Sequence, residues 1–137
     1  MNYLLDTNAC IAILNGRPVA VREKLAWAIE RKDTIYVSTV VAFELWYGVA
    51  KSTQQAANEG RLQTFLTGPV ELLPFDADDT RSAGEIRAQL ESTGRPIGAY
   101  DLLIAGQALR REIPVITANT REFSRIAGLK WQDWARE

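Results

Sequence analysis

The sequence predicts an α/β fold in which a mostly parallel central sheet is covered by helices on both faces. Two observations support this prediction. Short apolar segments alternate along the chain with longer segments of helical periodicity, and strands that are joined by helices run parallel to one another. The chain has 137 residues, of which 47% are hydrophobic, and this is enough for one domain with a substantial core. We therefore expect a three-layer α/β/α sandwich that spans residues 1–137.

The first half of the sequence predicts two strands, which are short apolar runs, and four helices. Val21, Leu25 and Ile29 recur at a spacing of four and give one apolar face to a helix that begins near Pro18. Gly68, which is followed by proline, ends the last of these helices. In chain order we expect a strand at 2–5, helices at 8–15 and 18–31, a strand at 35–38, and helices at 39–50 and 54–66.

The second half predicts three strands and three helices. Asp76 and Asp79 have the spacing of an acidic capping box at the start of a helix, and Gly94 follows the end of that helix. Pro114 begins a strand, where its missing N–H group matters least. In chain order we expect a strand at 70–73, helices at 76–93 and 98–111, a strand at 114–117, a helical turn at 121–126 and an edge strand at 129–131.

The composition narrows the possible chemistry. The sequence contains no histidine, and this removes the commonest general base and a common zinc ligand. The single cysteine, Cys10, forms no internal disulfide, and we expect it to pack as a small apolar residue. The net charge of −1 argues against a general polyanion-binding surface but leaves a nucleic-acid partner open. We find neither a membrane-spanning apolar run nor a signal peptide, so we expect a cytoplasmic protein without a membrane partner.

Three acidic residues lie where a parallel sheet places its ligands. Asp6 directly follows the first strand, Glu44 lies in the first turns of the helix after the second strand, and Asp101 lies in the first turn of the helix at 98–111. Ligands of α/β folds bind beyond the carboxyl ends of parallel strands. A carboxylate among apolar neighbours is costly to bury unless a cation or helix N-terminal amides neutralise it. Helix capping by Asp6, a solvent-facing Glu44 and a dipole-favoured Asp101 are the structural alternatives.

Five further polar residues belong to the candidate site. Thr117 and Asn119 follow the last main strand and face the same end of the sheet, and Glu122 comes shortly after them. Asn119 is equally compatible with a turn. The hydroxyl groups of Thr7 and Ser38 either support water molecules around a metal or cap helices.

Oxygen ligands without histidine or cysteine select Mg²⁺ or Mn²⁺ over zinc. Such an ion orients and acidifies a water molecule and stabilises charge on a phosphoryl oxygen. The reaction that fits is phosphodiester hydrolysis by a metal-activated water that a carboxylate positions. A covalent acyl mechanism is disfavoured because the sequence offers no Ser-His or Cys-His pair.

Five segments, in their order and spacing, carry a resemblance that covers nearly the whole chain. They are LLDTN at 4–8, STVVAFELWYG at 38–48, GRPIGAYD at 94–101, LIAG at 103–106 and TANTREF at 117–123. The chain resembles the PIN-domain ribonucleases and, within them, the VapC toxins of bacterial toxin–antitoxin pairs. The resemblance implies a PIN-like α/β/α sandwich and RNA cleavage that depends on Mg²⁺ or Mn²⁺.

The resemblance also implies roles for particular residues and partners. Asp6, Glu44 and Asp101 correspond to the metal-binding and catalytic acids. The fourth acid of the family is commonly an aspartate near Asn119, which is counted here with the catalytic residues, and Glu122 is an alternative source of that charge. Toxins of this kind usually cut a structured RNA, often transfer RNA in its anticodon loop. They typically form homodimers and are silenced by a small VapB-type antitoxin, through which alone they meet DNA.

Two other classes of protein have an acidic pocket in a similar place. A non-catalytic receiver-like binding domain is expected to have an acidic pair after the first strand and a lysine after the last main strand. A phosphatase with Asp6 as nucleophile is expected to have a second aspartate two residues later. This sequence has a single Asp6, Asn8 two residues on, and Ala118-Asn119 after the fourth strand. Both alternatives are therefore disfavoured.

Aromatic residues are a further point of interest. Trp46 and Tyr47 follow Glu44 closely. Stacking on a base is one role for them, but we expect packing in the core or at a dimer interface instead.

Overall fold

The computed structural model describes residues 1–136 and contains a five-stranded, all-parallel sheet with helices around it. The fold class that the sequence predicts is confirmed. In chain order the elements are β1 (Asn2–Leu5), α1 (Thr7–Asn15), α2 (Val19–Glu30), β2 (Thr34–Ser38), α3 (Thr39–Ala50), α4 (Gln55–Thr67), β3 (Glu71–Leu73), α5 (Ala77–Ser92), α6 (Ala99–Arg111), β4 (Val115–Ile116), α7 (Thr120–Phe123) and β5 (Trp131–Gln132).

The strands follow the order β3-β2-β1-β4-β5, and each neighbouring pair is parallel. The chain moves outward from β1 to β3 and then returns to the other side of β1 at β4. The crevice beyond the carboxyl ends of β1 and β4 is therefore the topological switch point of the sheet, where open α/β folds bind their ligands. Leu5 pairs with Val37 on one side and with Ile116 on the other, so β1, β2 and β4 end close together.

Burial along β1 explains the three-layer arrangement. Tyr3, Leu4 and Leu5 are all buried, although successive side chains of a strand point to opposite faces of the sheet. Both faces of the sheet are therefore covered, as is usual for parallel sheets. Cys10 is fully buried, which confirms its expected role as a small apolar core residue.

Most predicted elements agree with the structure to within two residues at their ends, and β4 and α7 are shorter than expected. The edge strand β5 begins at Trp131 and not at residue 129, because the N–H of Leu129 still donates to the carbonyl oxygen of Ile126 in a turn. Trp46 and Tyr47 are exposed, so their expected packing in the core is wrong, and their packing at a dimer interface stays a prediction. Among residues 1–136, no helix combines the length and the hydrophobicity that a membrane span needs.

Helices α5 and α6 pack unusually closely, and this packing positions the start of α6. A methyl group added at Gly106 would come within 2.6 Å of the backbone of Ala83. The absence of a side chain at Gly106 therefore permits the contact between the two helices.

A buried acid fastens the same two helices. Asp79 completes the predicted capping box with Asp76 and is fully buried. It accepts hydrogen bonds from Arg110, Arg111 and Gln107 of α6 at 2.9 to 3.3 Å. Burial works to raise the pKa of Asp79, but these hydrogen bonds outweigh burial and leave the pKa below its ordinary value. The pair of helices is thus joined by a satisfied charge cluster.

Substitution of Asp79 by asparagine should reduce the free energy of unfolding by about 2–4 kcal/mol, because two guanidinium groups lose their buried partner. Urea denaturation at pH 7 measures the loss. Asp78→Asn provides the matched control, since Asp78 is exposed in the same helical turn; its loss should stay below about 1 kcal/mol. Equal losses for the two variants would contradict a special role for Asp79.

Candidate active site

Asp6 occupies the centre of the site at the carboxyl end of β1. Its side chain is only 3% exposed, and its Oδ1 atom accepts a hydrogen bond from the backbone N–H of Ala9 at 2.8 Å. Asp6 is therefore the N-cap of α1, which is the structural role that the sequence offered as an alternative to metal binding. Capping uses one of the two carboxylate oxygens, so it does not exclude a second role. The side chain of Thr117 also acts on Asp6 and lowers its pKa.

Glu44 is tied to the first turn of α1. The hydroxyl group of Thr7 donates a hydrogen bond to Oε1 of Glu44 at 2.5 Å, which joins α1 to α3. Glu44 is half-buried and so is not a freely solvated surface acid. Ser38, in contrast, caps α3: its buried hydroxyl group accepts from the N–H of Val40 at 3.1 Å. Of the two hydroxyl residues considered, Thr7 contacts a candidate acid and Ser38 is a helix cap.

Asp101 is held by the segment that follows β4. The side-chain amide of Asn119 donates to Oδ2 of Asp101 at 2.9 Å. The backbone N–H of Asn119 donates to the hydroxyl group of Thr117 at 2.8 Å, and the Asn119 side chain makes no capping bond to α7. Asn119 is therefore turned toward the site, and the turn alternative does not account for its side chain.

Glu122 joins the site from α7. Its Oε1 atom accepts a weak hydrogen bond from the N–H of Gly98 at 3.4 Å, immediately before α6 begins. Its negative charge contributes to the raised pKa of Asp101. The structure thus brings Asp6, Asp101, Asn119 and Glu122 into one neighbourhood, with Glu44 at its side.

The acids perturb one another electrostatically. Burial is the largest cause of a pKa of about 6 for Asp6, and the charges of Asp101 and Asp133 add to it, while hydrogen bonds from Thr117 and Ala9 oppose the rise. Burial also raises the pKa of Asp101, with further contributions from Glu122 and Glu44. These carboxylates therefore share one field of unfavourable negative charge, which is typical of functional sites.

Cationic side chains do not neutralise this field. The ion pairs within residues 1–136 involve other acids, namely Asp33, Asp76, Asp79, Glu85, Glu91 and Asp133. Asp6, Glu44 and Asp101 therefore have no basic partner in the described part of the chain. Buried carboxylates that lack a partner are costly, and a bound cation removes that cost.

The donor chemistry fits a hard divalent cation, since the available ligands are carboxylate, hydroxyl and amide oxygens. Among residues 1–136, no group of three acidic side chains is close enough together to enclose a metal ion. Hydrogen bonds from Thr7 and Asn119 engage one oxygen each of Glu44 and Asp101. The chemical types of these side chains therefore suit such an ion. The hydrogen bonds from Thr7 and Asn119 compete with the ion for the same oxygens.

Asp133 is a neighbour of the site that the sequence analysis missed. It directly follows β5, its charge raises the pKa of Asp6, and its carboxylate caps the final turn through the N–H of Ala135 at 2.9 Å. The rule that placed Asp6 at the end of β1 would also have found Asp133. The edge strand was expected to end at residue 131 and not at 132, so the acid was not recognised as its successor.

Comparison with known proteins identifies the family of this chain. The PIN domain matches residues 3–129. The tRNA(fMet)-specific endonuclease VapC of Shigella flexneri is 36% identical, over 98% of this chain and 99% of that protein. Ribonuclease VapC2 of Rickettsia felis is 38% identical, over 98% of both chains.

Solved structures give the same result. VapBC2 from Rickettsia felis, crystallised with a DNA fragment from its promoter, superposes with a TM-score of 0.90 at 37% identity and covers 98% of this chain and 99% of that one. DNA-bound VapBC from Salmonella typhimurium superposes with a TM-score of 0.89 at 36% identity, over 98% of both chains. The chain belongs to the PIN-domain family and, within it, to the VapC ribonucleases. This membership favours the nuclease interpretation over the receiver-like and phosphatase alternatives.

The raised pKa of Asp6 predicts how stability depends on pH in the metal-free protein. Because the folded-state pKa of about 6 exceeds the ordinary value of 3.8, ionisation of Asp6 opposes folding. The cost is absent below about pH 4, grows between pH 4 and 6, and is complete above that range. Asp6→Asn should therefore raise the free energy of unfolding by about 1–3 kcal/mol at pH 7 and leave it nearly unchanged near pH 4.

Urea denaturation in the presence of a chelator, at several values between pH 4 and 7.5, checks this prediction. The asparagine side chain keeps an oxygen for the N–H of Ala9, so the helix cap is preserved. An Asp6→Asn variant that is less stable than the wild type at pH 7 would show that Asp6 has a favourable partner in the metal-free fold.

Proposed function

We propose that this chain is a metal-dependent endoribonuclease toxin that hydrolyses phosphodiester bonds in a structured RNA. One observation carries the proposal: buried and half-buried acids from separate segments act on one another electrostatically at the switch point of the sheet, and they have no basic partner within residues 1–136. Membership of the VapC ribonucleases supports the RNA substrate. The absence of histidine supports carboxylate chemistry with Mg²⁺ or Mn²⁺.

In this proposal Asp6, Glu44 and Asp101 hold the ion. When bound, the ion supplies positive charge that acidifies water and stabilises the phosphoryl oxygens. A site carboxylate positions the attacking water. The neutral partners orient the acids: the N–H of Ala9 holds Asp6, Thr7 holds Glu44 and Asn119 holds Asp101. These bonds fix the direction of each carboxylate without neutralising its charge.

Asn119 and Glu122 share the role of the fourth acid in our proposal. Asn119 contacts Asp101 directly at 2.9 Å but carries no charge. Glu122 carries a charge that acts on Asp101, and it is fixed to the start of α6 by the N–H of Gly98. We therefore assign the orientation of Asp101 to Asn119 and the additional negative charge to Glu122.

Transfer RNA is the substrate that we propose, with cleavage in the anticodon loop. The relative from Shigella flexneri is named as a tRNA(fMet)-specific endonuclease. The crystal structures of VapBC complexes support a VapB-type antitoxin as the neutralising partner, and the DNA in two of them supports contact with DNA through that antitoxin. We further propose that the toxin is a cytoplasmic homodimer.

Purified chain, free of antitoxin, should cut total bacterial RNA into discrete fragments in Mg²⁺ and leave it intact in a chelator. Asp6→Asn and Asp101→Asn should each reduce the cleavage rate at least about 100-fold, because each removes a carboxylate proposed to hold the ion. Gel analysis and sequencing of the fragment ends measure the rate and identify the RNA. Fragment ends outside tRNA would contradict the proposed substrate while leaving the nuclease in place.

Asp78→Asn is the control for this experiment, since it removes an exposed acid from α5 and should leave cleavage unchanged. Equal cleavage by the wild type and by both site variants would remove Asp6 and Asp101 from the proposed catalytic role. Circular dichroism confirms that each variant is folded before its activity is compared.

Restoring a charge at position 119 should strengthen metal binding. Asn119→Asp adds a carboxylate beside Asp101, and a larger ligand charge raises affinity for a hard cation. We expect Mn²⁺ to bind about tenfold more tightly by isothermal titration calorimetry. Asn2→Asp adds the same charge at the opposite end of β1 and should have no effect. An unchanged affinity in Asn119→Asp would place residue 119 away from the ion.

A further inference from the structure

Two aromatic rings flank the candidate acids at the surface. The ring of Phe43 is 59% exposed and that of Tyr100 is 43% exposed, yet they contact each other with centroids 6.2 Å apart and planes tilted by 38°. Phe43 directly precedes Glu44 in α3, and Tyr100 directly precedes Asp101 in α6. The pair therefore joins the two helices that carry site acids and leaves both rings open to a ligand.

The charge around the pair indicates what kind of ligand group it suits. Glu44 and Asp101 directly follow the two ring residues, and Glu122 acts on Asp101, so the acids bring negative charge to this part of the crevice that a bound ion would offset. The chain as a whole has a pI of about 5.6 and offers no excess of positive charge to attract a polyanion. An aromatic ring adds a contact to the face of a base that does not depend on charge.

We propose that Phe43 and Tyr100 form a stacking platform for an unpaired nucleobase next to the scissile phosphate, which makes the enzyme select single-stranded positions of RNA. The inference rests on the proposed ribonuclease function and deepens it. A base inside a duplex is already stacked on its neighbours and cannot reach the rings without unpairing. A base in a loop is free to stack, so the platform explains how a structured RNA is cut within an unpaired segment.

Tyr47 distinguishes the platform from an interface between two copies of the chain. It is exposed on α3 one turn beyond Phe43, and the Lys51 ammonium group lies 4.7 Å from the centre of its ring. An interface that covers α3 would use Tyr47 together with Phe43. A base bound beside Glu44 and Asp101 would use Phe43 and Tyr100 only.

The test uses a synthetic RNA hairpin whose loop contains the cleavage site mapped in total RNA, with 2-aminopurine next to that site. The protein carries Asp6→Asn so that the probe stays intact in Mg²⁺. We expect its fluorescence to be quenched on binding. Phe43→Leu and Tyr100→Leu should each abolish much of the quenching and weaken binding about 5- to 150-fold. Phe43→Tyr and Tyr100→Phe keep a ring and should stay within about twofold of the parent.

Tyr47→Leu is the matched control and should change neither quenching nor affinity. Light scattering measures the oligomeric state, which all five variants should retain. Undiminished quenching in Phe43→Leu and Tyr100→Leu would overturn the platform and leave the nuclease intact. Loss of binding in Tyr47→Leu as well, together with a change of oligomeric state, would assign the rings to an interface between copies. A wild type that cuts no RNA would overturn the proposed function and the platform together.

Discussion

The unpaired negative charge of Asp6 at the carboxyl end of β1 is the constraint on which the rest of the site depends. Parallel pairing of β1 with β2 and β4 brings three strand ends together, and the segments that follow them deliver Glu44 and Asn119 to the same place. The hydrogen-bond partners of the acids are neutral, and burial raises the pKa of both Asp6 and Asp101. Such a site gains stability from a cation because residues 1–136 supply no basic partner for these acids.

A second acid in the same chain has the opposite environment. Asp79 is as deeply buried as Asp6, but two arginines and a glutamine satisfy it, and its pKa falls below the ordinary value. The Asp79 cluster and the close approach at Gly106 fix α6 against α5. Since Asp101 lies in the first turn of α6, a structural charge cluster at one end of the helix supports a candidate site acid at the other.

The helix pair formed by α3 and α6 combines two kinds of chemistry. Each helix carries a candidate acid and, one residue earlier, an exposed aromatic ring. Successive residues of a helix point in directions about 100° apart, so the acids face the crevice while the rings meet at its rim. In the proposed function, ligands for the ion and an uncharged surface for a base thus arise from neighbouring positions, and the two demands do not compete for the same side chain.

The order of elements, the parallel sheet, the capping box at Asp76 and the grouping of the acids after strands were all determined by local periodicity and by the geometry of parallel sheets. The resemblance to a known family added the roles of the acids. Only the tertiary structure decided how far each residue takes part: Asn119 turns to Asp101, Ser38 remains a helix cap, and Asp133 enters the neighbourhood of Asp6. These outcomes depend on contacts between segments far apart in sequence, and side-chain direction across such contacts has no periodic signal in the chain.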